Sequence, residues 1–212
     1  MNYAELCQNI QDICETTFQS SQLEMFTKQA EQKIYNTVQL PALRKTAATV
    51  FAPGIDTLAL PADFLYSFSF AVNDGTGNFF FLLNKDTDFM REAYPSGSTT
   101  GLPKFYAFKD ATTIIVAPTP GLAYTASITY GHYPLSIADP LSGGVTWLGE
   151  EFDSALLNGA LVEAIRFMKG EPDLIAVYEK LYVQAIGLLK VLGDGKLRQD
   201  TYRSGQVRIP VS

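Results

Sequence analysis

Apolar residues recur every three or four positions at both ends of the chain and at closer, alternating spacing in the middle. At the N-terminal end Tyr3, Leu6, Cys7, Ile10, Ile13, Cys14 and Phe18 share one helical face. That spacing predicts an amphipathic helix with Asn2 as its N-cap. Ser20 and Ser21 interrupt it, and Ser21 with Glu24 forms an S-x-x-E capping box that opens a second helix. Leu23, Phe26, Ala30, Ile34 and Val38 make its inner stripe, and Pro41 is its stop. From about residue 46 to 133 the pattern changes to short alternating runs punctuated by Pro and Gly. Strands are predicted over 57–60, 65–72, 79–83, 104–109, 113–116 and 123–133. Residues 73–78 read as a hairpin connection and 109–112 as a second tight turn. Asp86 or Thr87 caps a short helix that reaches Tyr94.

Helical spacing returns after a loop at 134–146. Trp147 and Leu148 precede an acidic start at Glu150 and Glu151, and Phe152, Leu156, Ala160, Ala164 and Phe167 follow. Gly170 ends that helix and Pro172 opens the next. Leu174, Val177, Tyr178, Leu181, Ala185, Leu188 and Leu192 form its predicted inner stripe, with Gly193 as the stop.

Helices of this length hide their stripes only against one another. The predicted fold class is therefore α+β: a four-helix bundle formed by the N-terminal and C-terminal helix pairs, an inserted antiparallel β domain, and an extended C-terminal arm. The corresponding segments are 1–46 and 136–194 for the bundle, 47–135 for the β domain and 195–212 for the arm.

Charge sets the arm apart. Residues 196–212 carry Lys196, Arg198, Arg203 and Arg208 against Asp200, a net +3, whereas the rest of the chain carries −9. Leu197, Tyr202, Val207, Ile209 and Val211 are spaced through it. A basic, partly apolar extension on an acidic body reads as an arm that docks onto another protein. The whole chain is 212 residues, 47% hydrophobic, and so buries a core of its own. A net charge of −6 argues against a protein that coats DNA, since phosphate binding needs a basic face. It also leads us to expect free copies to repel and to stay monomeric or weakly associated. There is no apolar run near ~20 residues, so no membrane span is expected, and the N-terminus does not read as a secretory signal.

Candidate chemistry is sparse. His132 is the single histidine, and no nucleophile motif accompanies it. Cys7 and Cys14 lie two helical turns apart, roughly 10 Å, too far for a disulfide and without zinc spacing. Residues 73–78 resemble a calcium loop but lack its distal glutamate. Residues 96–101 are small and polar but lack the G-K-[ST] ending of a phosphate loop. Glu150, Glu151 and Asp153 are accounted for by a helix N-terminus, and Asp86 and Asp88 by capping. No catalytic residue, metal site or cofactor is assigned, and a non-enzyme is expected.

Several stretches, in order, resemble the head-to-tail adaptor (connector) proteins of tailed bacteriophages. Leu60-Pro61-Ala62-Asp63-Phe64-Leu65 is similar to the family's LPADF step into a strand. Gly101-Leu102-Pro103-Lys104-Phe105-Tyr106 matches its G-x-P-x-x-Y strand entry, and residues 114–121 resemble its L-x-P-x-P turn. Leu156-Leu157-Asn158-Gly159-Ala160-Leu161-Val162-Glu163-Ala164 is similar to its LLYGALxEA helix, and residues 178–189 to its last helix. The resemblance covers roughly residues 3–192. It implies a virion structural protein in the neck, made in the host cytoplasm. It also implies a homo-oligomeric ring, commonly a dodecamer, between the portal protein and a tail or nozzle protein, with genomic DNA passing through the lumen unbound. By position, Lys196, Arg198, Tyr202, Arg203, Val207, Arg208 and Ile209 are expected to form the portal-docking arm. A tail terminator or tube protein, and a soluble enzyme, remain as alternatives.

Overall fold

The structure, a computed structural model, describes residues 1–197. The chain is α+β and divides into two compact units: Met1–Leu43 with Pro134–Ser212, and Arg44–Tyr133. Among the described residues there are six α-helices: α1 (Tyr3–Cys14), α2 (Ser20–Thr37), α3 (Thr87–Ala93), α4 (Trp147–Glu151), α5 (Asp153–Phe167) and α6 (Pro172–Leu197). All but α3 belong to the first unit.

In the first unit α5 is the hub, with α1, α2, α4 and α6 packed against it. Its sequence explains the position: Ala155, Leu156, Gly159, Ala160, Leu161, Val162, Ala164 and Ile165 are all buried, and a helix apolar on most sides belongs inside. Leu6, Ile10, Phe26, Ala30, Ile34, Leu156, Ala160 and Leu189 lie in one core cluster. A Cβ at Gly159 would sit 3.1 Å from the Ala30 Cβ and from the Tyr182 ring, so glycine is what lets α2, α5 and α6 approach. Lys33 pairs with Glu163, and Arg166 with Glu179, on the exposed side of these helices.

The helix ends differ from expectation in several places. Asn2 caps α1, with its side chain accepting the Glu5 N–H at 2.9 Å and the Glu5 carboxylate accepting the Asn2 N–H at 3.0 Å. The helix stops at Glu15, which is left-handed (φ 50°), so Phe18 lies beyond it. The Ser21/Glu24 box does not form. α2 is capped two residues earlier, at Gln19, where Gln22 accepts the Gln19 N–H at 2.8 Å, and Glu24 pairs with Lys28. α2 ends at Thr37, ahead of Pro41, which sits in a short 3-10 turn (Pro41–Leu43). The single helix predicted from Glu150 begins earlier, at Trp147, and breaks at Phe152 (φ −140°, ψ 45°) into α4 and α5.

The largest difference is in α6. It does not stop at Gly193 but runs through it to Leu197. Gly193 is there for space, since a Cβ would lie 2.7 Å from the Gln39 carbonyl oxygen. The buried face is set by Ala185, Ile186 and Leu189, with Tyr178 and Tyr182 packed against the core. Leu174, Val177, Leu181 and Leu188 of the predicted inner stripe are exposed.

The second unit is built on strands: β1 (Arg44–Phe51), β2 (Thr57–Ala59), β3 (Tyr66–Asn73), β4 (Phe79–Phe81), β5 (Leu83–Asn84), β6 (Thr100–Gly101), β7 (Phe105–Phe108), β8 (Thr113–Ala117), β9 (Thr119–Pro120) and β10 (Tyr124–Gly131). One sheet has the order β1-β10-β3-β4, the other β2-β8-β7-β5, and β6 pairs with β9. Phe51, Phe70, Val72, Ile128 and Tyr130 of the first sheet meet Tyr106, Ile114 and Val116 of the second in one cluster, which makes a small sandwich. The expected antiparallel character is only partial, because β5 pairs with β7, and β6 with β9, in parallel. The run 79–83 splits at Leu82, which turns into the core and hands the chain from one sheet to the other. β1 was not foreseen as a strand; its Thr46-Ala47-Ala48-Thr49 centre has little apolar alternation.

Candidate interaction surfaces

The residues with chemical potential have structural partners. His132 follows β10, with its Nδ1 3.1 Å from the Tyr133 carbonyl oxygen. Asp74 closes the β3–β4 turn by accepting from the Thr76 N–H and hydroxyl at 2.8 and 2.7 Å. Those bonds, and weaker ones from Asn78, hold its carboxyl below the usual range. Ser96 and Ser98 bond each other at 2.6 Å in the loop before β6. Glu151 accepts the Trp147 indole N–H at 2.8 Å. Burial pushes the Cys7 and Cys14 thiols up, away from the reactive thiolate. Among the described residues no group of three or more His, Cys, Asp or Glu side chains is placed to hold a metal ion. No helix among them is long and apolar enough to cross a membrane.

What stands out is apolar surface. β4 is an edge strand and carries three phenylalanines, Phe79, Phe80 and Phe81, at 61, 47 and 68% exposure. Leu83 continues the strip. An exposed aromatic edge is a liability unless something covers it. Beside it, β1, β3 and β10 contain no Asp or Glu, although the chain is net −6. On β1 and β3, the Arg44 guanidinium lies 4.1 Å over the Phe68 ring and Phe68 packs edge-on to Tyr66 at 5.2 Å. In the other unit, the outward residues of α6 form a second apolar surface.

A family model described as SU10 adaptor protein matches residues 1–210. The chain belongs to that family. It is thus a structural adaptor protein of a bacteriophage, carried in the virion and assembling with other head or tail proteins. No curated protein matches the chain.

In an adaptor, uncovered apolar strips on a folded body are where other proteins are to be sought. Sequence reasoning missed the α6 surface because that helix is apolar around most of its circumference, so a stripe can be drawn at more than one phase. It missed the acid-free β face because β1 was not recognised. The signal for that face was available as a long gap between Glu31 and Asp56. Of the residues expected in the docking arm, Lys196 lies in α6. Arg198, Tyr202, Arg203, Val207, Arg208 and Ile209 lie outside the described residues.

Proposed function

We propose that this adaptor is the head-to-tail connector of its phage, a dodecameric ring seated between the portal protein and the tail or nozzle. The family match over nearly the whole chain carries the reading. It is supported by a β unit enclosed in sequence by two helical segments. In this reading α1, α2, α5 and α6 act as one four-helix platform, and the arm beyond Leu197 reaches the portal through Arg198, Tyr202, Arg203, Val207, Arg208 and Ile209, with Lys196 at its helical base. The aromatic edge at Phe79 and Phe81 supplies contact between neighbours in the ring. Such contacts are heterologous, one patch against a different one. The acidic body repels the duplex and leaves it free to slide through the lumen.

The test is a phage carrying a nonsense mutation in the gene. DNA-filled heads without tails should accumulate, and the protein supplied in trans should restore infectious particles. Normal tailed virions lacking this protein would defeat the reading.

A further inference from the structure

The sheet β1-β10-β3-β4 has two open edges, and they match each other. Every neighbouring pair in it is antiparallel, so its edge strands β1 and β4 run in opposite directions. A second copy related by rotation about an axis along the strands therefore brings its β1 antiparallel to the β4 of the first.

Backbone hydrogen bonding fixes what each edge offers. The Leu82 N–H donates to the Phe70 carbonyl at 2.8 Å, and the Asp74 N–H to the Asn78 carbonyl at 3.2 Å. Bonding between β3 and β4 thus falls on alternate pairs, Val72 with Phe80 among them, and the N–H and C=O groups of Phe79 and Phe81 point off the edge. Carried across β3 and β10, the same alternation leaves Thr46, Ala48 and Val50 with free groups on the outer edge of β1. The same residues turn their side chains to the outer face, since Phe80 pairs with buried Val72, and Ala47 with buried Ile128, on the inner one. That inner face is half open at both edges: Phe80 is 47% exposed, and Ala47 and Thr49 are half-buried.

We infer that β4 of one copy adds to the β1 edge of the next, antiparallel, with Phe79 opposite Val50 of the partner subunit and Phe81 opposite Ala48 of the partner subunit. The inference rests on the connector reading and names the surface that the aromatic edge meets. This register joins the free N–H and C=O groups of both edges. It sets aromatic side chains against β-branched and small ones, a favourable cross-strand pairing. Both inner faces stay on one side, where Phe80 lies beside Thr49 of the partner subunit. Neither strand carries an acid. The cations of β1 are already engaged, Arg44 over Phe68 and Lys45 with Asp63, so no unpaired charge is buried. A shift of two residues would set Gly77 against Val50 of the partner subunit and Leu83 against Arg44 of the partner subunit.

A two-fold pairing of β4 with itself leaves β1 open on both copies, whereas the head-to-tail contact covers both edges of every copy in a closed ring. The area sets when it forms. A phenylalanine presents roughly 200 Å², so the exposed parts of Phe79, Phe80 and Phe81 come to about 350 Å², well under the roughly 800 Å² per partner of a stable interface. The edges stay apart in free chains and join where the portal holds copies side by side.

The test uses the full chain in a Cys7→Ser, Cys14→Ser background, assembled on purified portal and then oxidised. Thr49→Cys with Phe80→Cys puts thiols on a non-hydrogen-bonded pair across the contact, where side chains come closest. Within one chain the two positions lie on opposite edges of the sheet, about 14 Å apart, too far to bond. The double variant should give a ladder of covalent oligomers on denaturing gels, at least ten-fold more than either single substitution. Ala48→Pro should keep the wild-type circular dichroism, because the lost N–H faces off an edge strand, yet lower ring assembly on the portal at least ten-fold. Ala48→Val, which keeps the N–H, should not. Equal assembly by the two Ala48 variants, or complete rings of the double thiol variant without a ladder, would overturn the inference and leave the connector reading standing. Dimers from Phe80→Cys alone would overturn it in favour of a two-fold β4 pairing. No ring of wild-type chain on the portal would overturn both.

Discussion

Glu31 accepts the Ile137 N–H through Oε1 at 2.9 Å, and both residues are buried although 106 positions separate them in sequence. The contact ties α2 to the segment that re-enters the helical unit from the β unit. Burial raises the Glu31 carboxyl above its ordinary value, against the opposing effects of the Ile137 N–H, Ser136 and Lys28. A carboxyl whose folded-state pKa is raised contributes stability below its unfolded value, and that contribution is lost as pH rises through the folded value. Glu31→Gln should therefore gain on the wild type in melting temperature between pH 4 and pH 8. Glu31→Ala strands the buried Ile137 N–H and should cost about 1–3 kcal/mol at every pH. Thermal melts of the three proteins across that range are the check, and a flat Gln-minus-wild-type difference would contradict the account.

Gly193 carries an opposite expectation from propensity and from packing. Gly→Ala in a helix gains about 1 kcal/mol when nothing is in the way. Here the added Cβ would lie 2.7 Å from the Gln39 carbonyl oxygen and 3.0 Å from the Leu40 side chain. Forced packing of this kind costs about 1–3 kcal/mol, so Gly193→Ala should destabilise in urea unfolding. Gly187→Ala, with open space around it, should leave the monomer as stable or stabilise it.

The same glycine shows where the sequence could be read and where it could not. Helix starts were legible at Asn2 and at Pro172, where a side chain signals them locally, whereas the Ser21/Glu24 pattern pointed two residues past the actual cap at Gln19. Gly193 follows an apolar helical run and precedes Asp194 and Gly195, the local grammar of a helix stop. Its actual reason is a contact with Gln39, which no local pattern encodes. The phase of α6 was lost for a related reason: Tyr182, Ala185, Ile186 and Leu189 were chosen by what α2 and α5 offer, not by the helix itself. Strands with strong alternation were legible, whereas β1 is held by its neighbour β10. The surfaces that matter to an adaptor depend on which faces folding leaves open.

Asp63 joins two partners in the β unit. It accepts the Tyr130 hydroxyl at 2.8 Å and the Lys45 ammonium at 2.6 Å. Lys45 and then Tyr130 hold its carboxyl below the usual range. A depressed carboxyl contributes stability above its unfolded value and loses it as pH falls through the folded value. Asp63→Asn should therefore narrow its deficit to the wild type as pH drops below about 4. At pH 7, Asp63→Ala leaves the buried Tyr130 hydroxyl without its acceptor and should cost about 1–3 kcal/mol, read by denaturant unfolding.

Phe79 and Phe81 stand outside the core, so replacing both by serine should change monomer stability by less than about 0.5 kcal/mol. If the aromatic edge joins neighbours in the ring, the same double variant should still bind the portal singly but fail to close a ring, with at least a ten-fold loss in assembly. Electron micrographs of portal mixed with the variant report this directly; complete rings would remove the edge from the account.

The central claim is that this adaptor forms a ring on the portal through its C-terminal arm. Analytical ultracentrifugation of purified portal mixed with excess chain, full length or ending at Leu197, tests it most directly. The account predicts that the full chain sediments with the portal at one copy per portal subunit, and that the shortened chain keeps its helical circular dichroism but no longer binds. No co-sedimentation of the full chain, or equal binding by the shortened one, would contradict it.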